Sequence, residues 1–351
     1  MPASSVTGLA GEAEQAWLEA VETRYGSPVS VVRSGPLCGG YASSDVRLYE
    51  LLCAGRPVSV VWKRTTAREV AALRAVDEVS GIGGPRLLAH GAAGVDDRSV
   101  GADVPGAGGG SAVARSGGGG DGPAAWVLMP HHAGTPLVDG QPVPDAAYEI
   151  LARVHARYLD TRVPQLPVID AAFWRRLCLD VALPAVRGAA KRAALGVEPA
   201  DTSRSALELY GDTEARLLSW SADERMLTAL EVLPATLAHG DLHRGNILEG
   251  PDEAAIIDWG SARIAPGGLD LAVLAEQGGV DHERYHRRLA ELSGRPVVPA
   301  LVEVEQQWAL AMGYVQYLGF AADCFSADRV GAIGDRAAQA FEHLAVALTR
   351  I

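Results

Sequence analysis

The sequence predicts an α+β protein with two lobes, a small antiparallel β-sheet lobe followed by a larger, mainly helical lobe. Strand-like runs crowd into the first third of the 351 residues. Helical periodicity dominates from residue 130 onward, and one short connector joins the two regions. We place the N-terminal lobe at residues 1–129 and the C-terminal lobe at residues 130–351, and we expect a cleft between them.

The first lobe is predicted to open with a helix and three strands. Residues 12–24 form an amphipathic helical pattern with Trp17 and Val21 on one face. Strands are predicted over 29–32, 45–53 and 58–64. The segment Ala54-Gly55-Arg56-Pro57 has the chemistry of a hairpin turn, so the last two strands should pair with each other.

A helix, two more strands and a glycine-rich insertion complete this lobe. A helical pattern begins at Ala67, and further strands are predicted over 86–90 and 124–129. Residues 94–122 contain VPGAGGGS and SGGGGDG and too few large apolar side chains to bury, which indicates a flexible insertion. The insertion lacks the strand-loop-helix context and the Lys-Ser/Thr ending of a phosphate-binding P-loop. A lid over substrate and an uninvolved tether are both open interpretations.

The second lobe is predicted to be helical except around one polar segment. Helical periods cover 145–158, 171–186, 205–220, 222–233 and 302–351. The cysteines stand singly in the sequence, which predicts free thiols rather than a disulfide framework or a thiolate zinc site. They are Cys38, Cys53, Cys178 and Cys324.

Charge and hydropathy limit the partners. A formal net charge of −12 disfavours nucleic acid, because phosphate contacts need clustered Lys and Arg. A cationic small molecule would suit this balance, and solubility alone also explains it. No apolar run approaches the length of a bilayer-crossing helix, and the N-terminus lacks a basic patch followed by an apolar stretch. We therefore expect a cytoplasmic protein without a membrane partner, as a monomer or a homodimer.

Two polar segments carry the chemistry, HGDLHRGNIL at 239–248 and IIDWG at 256–260. Asp241 and Asn246 have the D-x-x-x-x-N spacing and Asp258 follows an apolar strand, as in enzymes that transfer phosphoryl groups from Mg-ATP. Asn246 and Asp258 would supply the oxygen ligands that Mg²⁺ prefers, and Asp241 would orient the acceptor hydroxyl and take its proton. Loop capping is the ordinary role of a single Asp or Asn, but three at this spacing favour catalysis.

These two segments resemble the signature of the aminoglycoside phosphotransferase family, small-molecule kinases that share the bilobal fold of protein kinases. The resemblance implies a protein-kinase-like fold, ATP as the phosphate donor with GTP as an alternative, and a Mg²⁺ cofactor. It also implies an auxiliary role for His243 at the transition state. Asp270 would tie back to the catalytic loop, although a helix N-cap explains this residue equally well. Arg244 stands where the family often has proline.

The resemblance continues through the first lobe. Residues 35–44 occupy the place of the family's nucleotide-covering loop. The candidate nucleotide contacts in that loop are Gly39, Gly40 and Ser43. The run WVLMPHH at 126–132 resembles the interlobe hinge, which places Met129 and His131 at the adenine. A metal shared by His131 and His132 is disfavoured, because adjacent side chains on an extended chain point in opposite directions.

Lys63 is singled out by the scarcity of lysine. Of the 31 basic residues, only Lys63 and Lys191 are lysine. Lys63 ends an apolar strand just before a helix that carries Glu69, and the resemblance assigns it to the α- and β-phosphates with Glu69 as its partner. A compact ammonium can bridge phosphates and a carboxylate where a planar guanidinium would not fit. Glu78 lies on the same helical pattern, but Glu69 fits the family better.

A zinc hydrolase is the competing interpretation of the histidines. His239 and His243 are four residues apart, as in zinc proteases, but Gly-Asp-Leu stands between them without the catalytic glutamate of that motif. We therefore expect His239 to brace the catalytic loop.

The sequence thus predicts a phosphotransferase that moves the γ-phosphate of ATP to a hydroxyl of a small molecule such as an antibiotic. Acidic residues in the C-terminal helices would suit a polycationic acceptor, and a solvated helical face explains them equally well. These acids are Glu303, Glu305, Asp323 and Asp328. Two alternatives stay open: a metabolic kinase for choline, homoserine or a sugar, and a nucleotide-binding pseudokinase. The complete set of candidate residues disfavours the pseudokinase.

Overall fold

The computed structural model describes residues 11–37, 46–79, 85–92, 124–196, 205–250 and 253–351. It confirms the predicted class, with an antiparallel sheet in the N-terminal part and a mainly helical C-terminal part. The glycine-rich insertion predicted at 94–122 lies outside the described residues, as does Cys38.

Five antiparallel strands form the N-terminal sheet, in the order β1-β2-β3-β5-β4. They are β1 (Val29–Pro36), β2 (Val46–Cys53), β3 (Arg56–Thr66), β4 (Ala89–Ala92) and β5 (Ala124–Pro130). Helix α1 (Gly11–Tyr25) packs against this sheet, where the rings of Trp17 and Tyr49 lie 4.8 Å apart. Helix α2 (Ala67–Asp77) follows β3 directly and turns its apolar face into the core beneath the sheet.

The turn between β2 and β3 fixes the register of the sheet. Its central residues Ala54 and Gly55 have φ of 47° and 75°. Positive φ at both positions is the type I′ geometry, whose twist matches that of the flanking strands. The resulting register places Lys63 opposite Val46 on one side and Val127 on the other, in the central strand of the sheet.

Among the described residues, the C-terminal part packs nine further α-helices around short strands. The helices are α3 (Asp145–Arg157), α4 (Ala171–Arg176), α5 (Leu183–Ala194), α6 (Ala206–Trp220), α7 (Glu224–Val232), α8 (Gly268–Glu276), α9 (His282–Ser293), α10 (Pro299–Cys324) and α11 (Ala327–Leu348), where α4 and α5 are joined by the π-helical turn Leu177–Ala182. The strands are β6 (Thr135–Pro136), β7 (Ala235–Ala238), β8 (Ile247–Glu249), β9 (Ala254–Ile256) and β10 (Arg263–Pro266). Strand β7 pairs with β10, and β8 lies between β6 and β9.

Two hydrophobic cores hold the helical part together. One is formed mainly by α5, α6, α10 and α11 and contains the fully buried Trp174 and Trp308. The other joins α2 to α3, α8 and the strands that flank the polar segments, with Trp259 and Tyr285 fully buried in it. Because this second core includes residues of both the N-terminal and the C-terminal part, it positions α2 against the polar segments.

Several predicted boundaries were wrong, each for a local reason. The strand expected at 86–90 runs from Ala89 to Ala92, and within it a Cβ at Gly91 would lie 2.7 Å from the indole of Trp126. The single helical period from residue 302 is two helices, α10 and α11, separated at Phe325 and Ser326.

Two helices were missed. The first five residues of α8 are all buried, so the sequence of this helix shows no alternation of apolar and polar faces. Helix α9 does have an apolar period, at Tyr285, Leu289 and Leu292, which the prediction overlooked. Within the described residues, no helix is long and apolar enough to cross a membrane.

Candidate active site

Lys63 joins three elements through one ammonium group. It lies on β3 with a side chain that is 15% exposed, and its Nζ is 2.8 Å from Oε1 of Glu69 and 2.6 Å from Oδ1 of Asp258. Glu69 is buried in the first turn of α2, where the Thr65 hydroxyl also donates a hydrogen bond to it. The structure therefore brings together the predicted strand lysine, its predicted carboxylate partner and the aspartate of the IIDWG segment.

Both Lys63 and Asp258 are held in their charged forms. Burial alone would lower the pKa of Lys63, but the charges of Glu69 and Asp258 outweigh it and the pKa is raised. Burial would raise the pKa of Asp258, but the ammonium of Lys63 more than offsets this and the pKa is lowered. The pair therefore stays ionised at neutral pH.

Asp258 adopts a left-handed backbone conformation, with φ 64° and ψ 61°. This region is uncommon for residues other than glycine and is tolerated where the surroundings fix it. Here the next residue, Trp259, is fully buried, and its ring lies 4.9 Å from that of His239. The carboxylate of Asp258 nevertheless stays accessible, since its side chain is 40% exposed.

The pairing of β8 with β9 places Asn246 beside the IIDWG segment. Ile247 pairs with Ile256, and the backbone N–H of Ile257 donates to the carbonyl of Asn246 at 2.9 Å. The side-chain Nδ2 of Asn246 donates to the carbonyl of Asp241 at 3.0 Å, which leaves its amide oxygen on the other side. The pairing of β8 with β9 and the hydrogen bond from the Asn246 side chain thus connect all three polar residues of the predicted phosphoryl-transfer motif.

These side chains fit a Mg²⁺ ion. The amide oxygen of Asn246 and the accessible carboxylate of Asp258 are hard oxygen donors. Among the described residues no group of three or more His, Cys, Asp or Glu side chains could form an all-protein metal cage. Two side-chain ligands with the remaining positions filled by phosphate oxygens and water is the usual arrangement for Mg²⁺ at a nucleotide.

His239 braces the catalytic loop from behind. Its Nε2 lies 2.8 Å from the carbonyl of Ile257 and must donate, while its Nδ1 accepts the backbone N–H of Asp241 at 3.3 Å. These bonds require the tautomer protonated at Nε2. The ring is buried and is part of a structural bridge between the two polar segments.

Gly240 is required by two constraints at the same residue. Its φ is 79°, and a Cβ at this position would lie 2.4 Å from the carbonyl oxygen of Ser261 and 2.6 Å from Nε of Arg263. Its carbonyl faces the guanidinium of Arg263 and the amide of Gln316, each at 3.4 Å. The backbone of the residue before Asp241 is therefore fixed by its neighbours Ser261, Arg263 and Gln316.

Replacement of Gly240 by alanine is expected to destabilise the fold by at least about 2 kcal/mol, because it combines an unfavourable φ with a backbone overlap. Gly294 is the matched control, since it has φ 71° but nothing within 4 Å of its Cβ position. Urea unfolding of both variants measures the difference. Equal losses of free energy would show that the overlap at Gly240 is relieved without cost.

Asp270 anchors the backbone of the catalytic loop. It lies in the first turn of α8, completely buried, and accepts the N–H of His239 at 2.7 Å and that of Gly240 at 2.8 Å. Gly267, not Asp270, is the N-cap of α8, so the helix-cap alternative for Asp270 was wrong. Burial would raise the pKa of Asp270, but the hydrogen bonds from His155 and from the backbone N–H of Gly240 help to lower it overall, so it is a buried carboxylate.

His155 and Tyr285 extend this anchor into the core. Nε2 of His155 lies 3.2 Å from Oδ2 of Asp270, and Nδ1 lies 2.6 Å from the Tyr285 hydroxyl. In the neutral ring, Nε2 donates to the carboxylate and Nδ1 accepts from tyrosine. Gly267 makes room for this contact, since a Cβ there would lie 2.6 Å from the Tyr285 hydroxyl and 2.9 Å from Nδ1 of His155.

Asp241 itself is partly exposed and electrostatically distinct from Asp258. Burial is the main cause that raises its pKa, and the neighbouring charge of Asp258 adds to the rise. The nearby imidazoles of His243 and His239 and the guanidinium of Arg263 act in the opposite direction. A carboxylate with a raised pKa is a better proton acceptor, as a general base at this position requires.

Arg244 fixes the far side of the loop. It is 1% exposed, and its guanidinium donates to the carbonyls of Gln141 and Gly278. Its backbone N–H also donates to Oε1 of Gln277 at 2.9 Å. An arginine at the place where the family often has proline therefore ties the loop to two neighbouring segments.

The remaining predicted site residues have different positions. Nδ1 of His243 accepts the backbone N–H of Gly245 at 3.1 Å and caps the short turn Arg244–Asn246. Met129 lies on β5, where it pairs with Val61 of β3. The backbone N–H of His131 donates to the carbonyl of Ser59 at 2.9 Å. The predicted covering-loop contacts Gly39, Gly40 and Ser43 lie outside the described residues.

Sequence reasoning missed four residues that support the catalytic loop, namely His155, Tyr285, Arg263 and Gln316. A signal existed for two of them. His155 is a polar residue within the apolar stripe of α3, and Arg263 is a buried cation at the first position of the otherwise apolar strand β10. Both are less than 5% exposed. Tyr285 and Gln316 carry no such mark.

Comparison with known proteins agrees with the geometry. Residues 56–301 match the profile of the phosphotransferase enzyme family. No curated protein sequence matches the chain.

Similar solved structures include a spectinomycin phosphotransferase in complex with ADP and spectinomycin (15% identity, TM-score 0.45, covering 94% of this chain and 93% of that one). They also include choline kinase from Cryptosporidium parvum (12%, 0.48, 92% and 89%) and an aminoglycoside phosphotransferase from Alicyclobacillus acidocaldarius (12%, 0.49, 99% and 96%). Because the family profile spans more than half of the chain, the protein belongs to the phosphotransferase enzyme family.

Proposed function

We propose that the protein transfers the γ-phosphate of ATP, with Mg²⁺, to a hydroxyl group of a small molecule. The observation that carries this proposal is the position of Lys63, whose ammonium contacts Glu69 and Asp258 at once. Kinases require a strand lysine paired with a helix glutamate and an aspartate that holds Mg²⁺, and these three side chains meet here. We further propose that the N-terminal lobe ends at residue 129 and the nucleotide base lies against Met129 and His131.

Each residue of the site has a part in this reaction. Lys63 would donate to the phosphates, with Glu69 holding the ammonium in place. Bound at Asn246 and Asp258, Mg²⁺ would neutralise charge on the phosphate oxygens. Asp241 would orient the acceptor hydroxyl and take its proton as the new P–O bond forms. His243 would support the reacting phosphate, and Gly39, Gly40 and Ser43 would cover the nucleotide.

The donor and acceptor are tested together. Thermal shift measurements with ATP and GTP, each with and without Mg²⁺, would identify the nucleotide. An acceptor panel of antibiotics, choline, homoserine and sugars, followed by mass detection of an added phosphate, would distinguish a resistance enzyme from a metabolic kinase. Mg-ATP binding without hydrolysis or transfer to any acceptor would favour the pseudokinase instead.

Replacement of Lys63 by arginine is expected to weaken Mg-ATP binding by about tenfold or more, because a guanidinium cannot make both short contacts from the same position. Lys191→Arg is the matched control, because Lys191 is the other lysine of the chain and lies exposed on α5. Titration with a fluorescent ATP analogue measures both affinities. If the two variants bound alike, Lys63 would not be a phosphate ligand.

A further inference from the structure

Three aromatic side chains form an exposed cluster where α10 ends. The rings of Tyr317, Phe320 and Phe325 have centroids 5.4 to 6.1 Å apart, and Tyr317 and Phe325 are 40% and 39% exposed. Phenylalanine is scarce in this chain, with four residues in total, and two of them are in this cluster. Grouped, exposed aromatic rings are a common mark of a binding surface, because they gain much on contact and lose little side-chain entropy.

The cluster is continuous with the catalytic loop. Gln316, directly before Tyr317, donates to the carbonyl of Gly240 at 3.4 Å and accepts from Arg263 at 3.0 Å. Phe320 is four residues after Gln316 and therefore lies on the same face of α10, one turn further on. On this face Gly313 has nothing within 4 Å of its Cβ position, so the helix is open beside the loop.

A third phenylalanine lies against Arg263, one of the residues that hold the loop. Phe173 lies at the start of α4, and the guanidinium of Arg263 lies 5.6 Å from the centroid of its ring. Arg263 also contacts Gln316 and the carbonyl of Gly240, so it links the ring of Phe173 to the helix that carries the cluster and to the residue that precedes Asp241. Of the four phenylalanines of the chain, Phe173 contacts Arg263, which holds the catalytic loop, and Phe320 lies one helical turn after Gln316, which also holds it.

The charges of this region do not favour a polycation. Three of the four acids that the sequence offered for a cationic acceptor are paired with other groups. Glu305 is buried and accepts from Gly268 and His286, while Glu303 pairs with Arg350 and Asp323 with Arg192. The cations Arg263 and Arg176 both lie against Phe173. These cations partly offset the carboxylate of Asp241, which weakens the attraction of this region for a molecule that carries several positive charges.

We infer that the acceptor is a hydroxyl compound with an extended apolar face, which packs on Tyr317, Phe320 and Phe325 and presents its hydroxyl to Asp241. This inference rests on the proposed function and names its substrate class. In the reaction the acceptor oxygen bonds to the γ-phosphorus, and the bond from that phosphorus to the β,γ-bridging oxygen breaks. The hydroxyl proton passes to Asp241 and ADP leaves with the bridging oxygen.

The test combines an acceptor panel with aromatic variants. The panel contains erythromycin, a hydroxysteroid and a flavonol as compounds with an apolar face, and kanamycin and choline as cations. We expect phosphate transfer to a member of the first group. Phe320→Ala and Tyr317→Ala should raise the KM for that acceptor about tenfold while the KM for ATP stays unchanged. Tyr25→Ala, an equally exposed aromatic residue on α1, is the control and should change neither KM.

A fluorescent apolar probe gives a readout that needs no turnover. Anilinonaphthalene sulfonate should bind the protein, bind Phe320→Ala several-fold more weakly, and be displaced by the acceptor. Transfer to kanamycin or choline with a KM unaffected by Phe320→Ala would overturn the inference and leave the proposed function intact. The inference would also be overturned if no apolar compound displaced the probe and none accepted phosphate. Absence of any nucleotide turnover would contradict the proposed function instead.

Discussion

Asp241→Asn is expected to lower kcat for phosphoryl transfer by at least about a hundredfold, because asparagine can position a hydroxyl but cannot take its proton. Asp241 follows the constrained Gly240 directly, and the side-chain amide of Asn246 donates to the backbone carbonyl of Asp241. The measurement is single-turnover transfer from labelled ATP to the acceptor. A variant that kept full activity would remove Asp241 from the chemistry.

The stability of the same variant separates catalysis from folding. Since burial raises the pKa of Asp241, the folded state binds this proton more tightly than the unfolded state, and the ionised carboxylate costs stability above that raised pKa. Asparagine removes this cost, so the melting temperature at neutral pH should be equal to or above that of the wild type. A large fall in melting temperature would mean that the loss of activity reports misfolding.

The pH dependence follows from the same direction of shift. The base form of Asp241 is the ionised one, so transfer should decline as the pH falls through its raised pKa. Asp258 has a lowered pKa and keeps its charge over that range. The acid limb of kcat/KM, which reports the groups of the free enzyme, should therefore lie above the ordinary range of an aspartate. An acid limb at or below the ordinary aspartate value would contradict this.

The parts of the site that the sequence predicted are those in which local spacing decides position. Asp241 and Asn246 are five residues apart in one loop, and Lys63 and Glu69 lie on consecutive elements, so short segments bring each pair together. The scarcity of lysine then identified Lys63 among the basic residues. The alternating and 3.6-residue patterns predicted most helices and strands because each of those elements has one buried and one exposed face.

The supporting residues could not be predicted because their contacts join distant parts of the chain. His155 and Tyr285 are separated by 130 positions and meet only when α3 packs on α9. The same is true of the acids on α10 and α11. Whether each of them is available to an acceptor depends on partners that are distant in sequence. Glu305 turned inward to the backbone of Gly268, which no pattern in α10 indicates.

Asp270→Asn is expected to destabilise the protein by about 3 kcal/mol and to lower kcat, because one carboxylate accepts three buried donors. An asparagine has one acceptor oxygen, so its amide N–H₂ must face either Gly240 or the pair formed by His239 and His155. The lowered pKa of Asp270 means that wild-type stability from this group is present above the ordinary aspartate pKa and is lost as the pH falls through the lowered value.

Asp145→Asn is the control for this substitution, because Asp145 is 72% exposed and its pair with Arg284 lies on the surface. Surface pairs contribute about 0 to 1 kcal/mol, so this variant should unfold in urea nearly as the wild type does. The difference between the variants should also diminish below the lowered pKa of Asp270, where the wild-type carboxylate becomes protonated. If Asp270→Asn and Asp145→Asn had equal free energies of unfolding at neutral pH, the catalytic loop would be held without Asp270, and its rigidity would have to come from Gly240, Arg263 and Arg244.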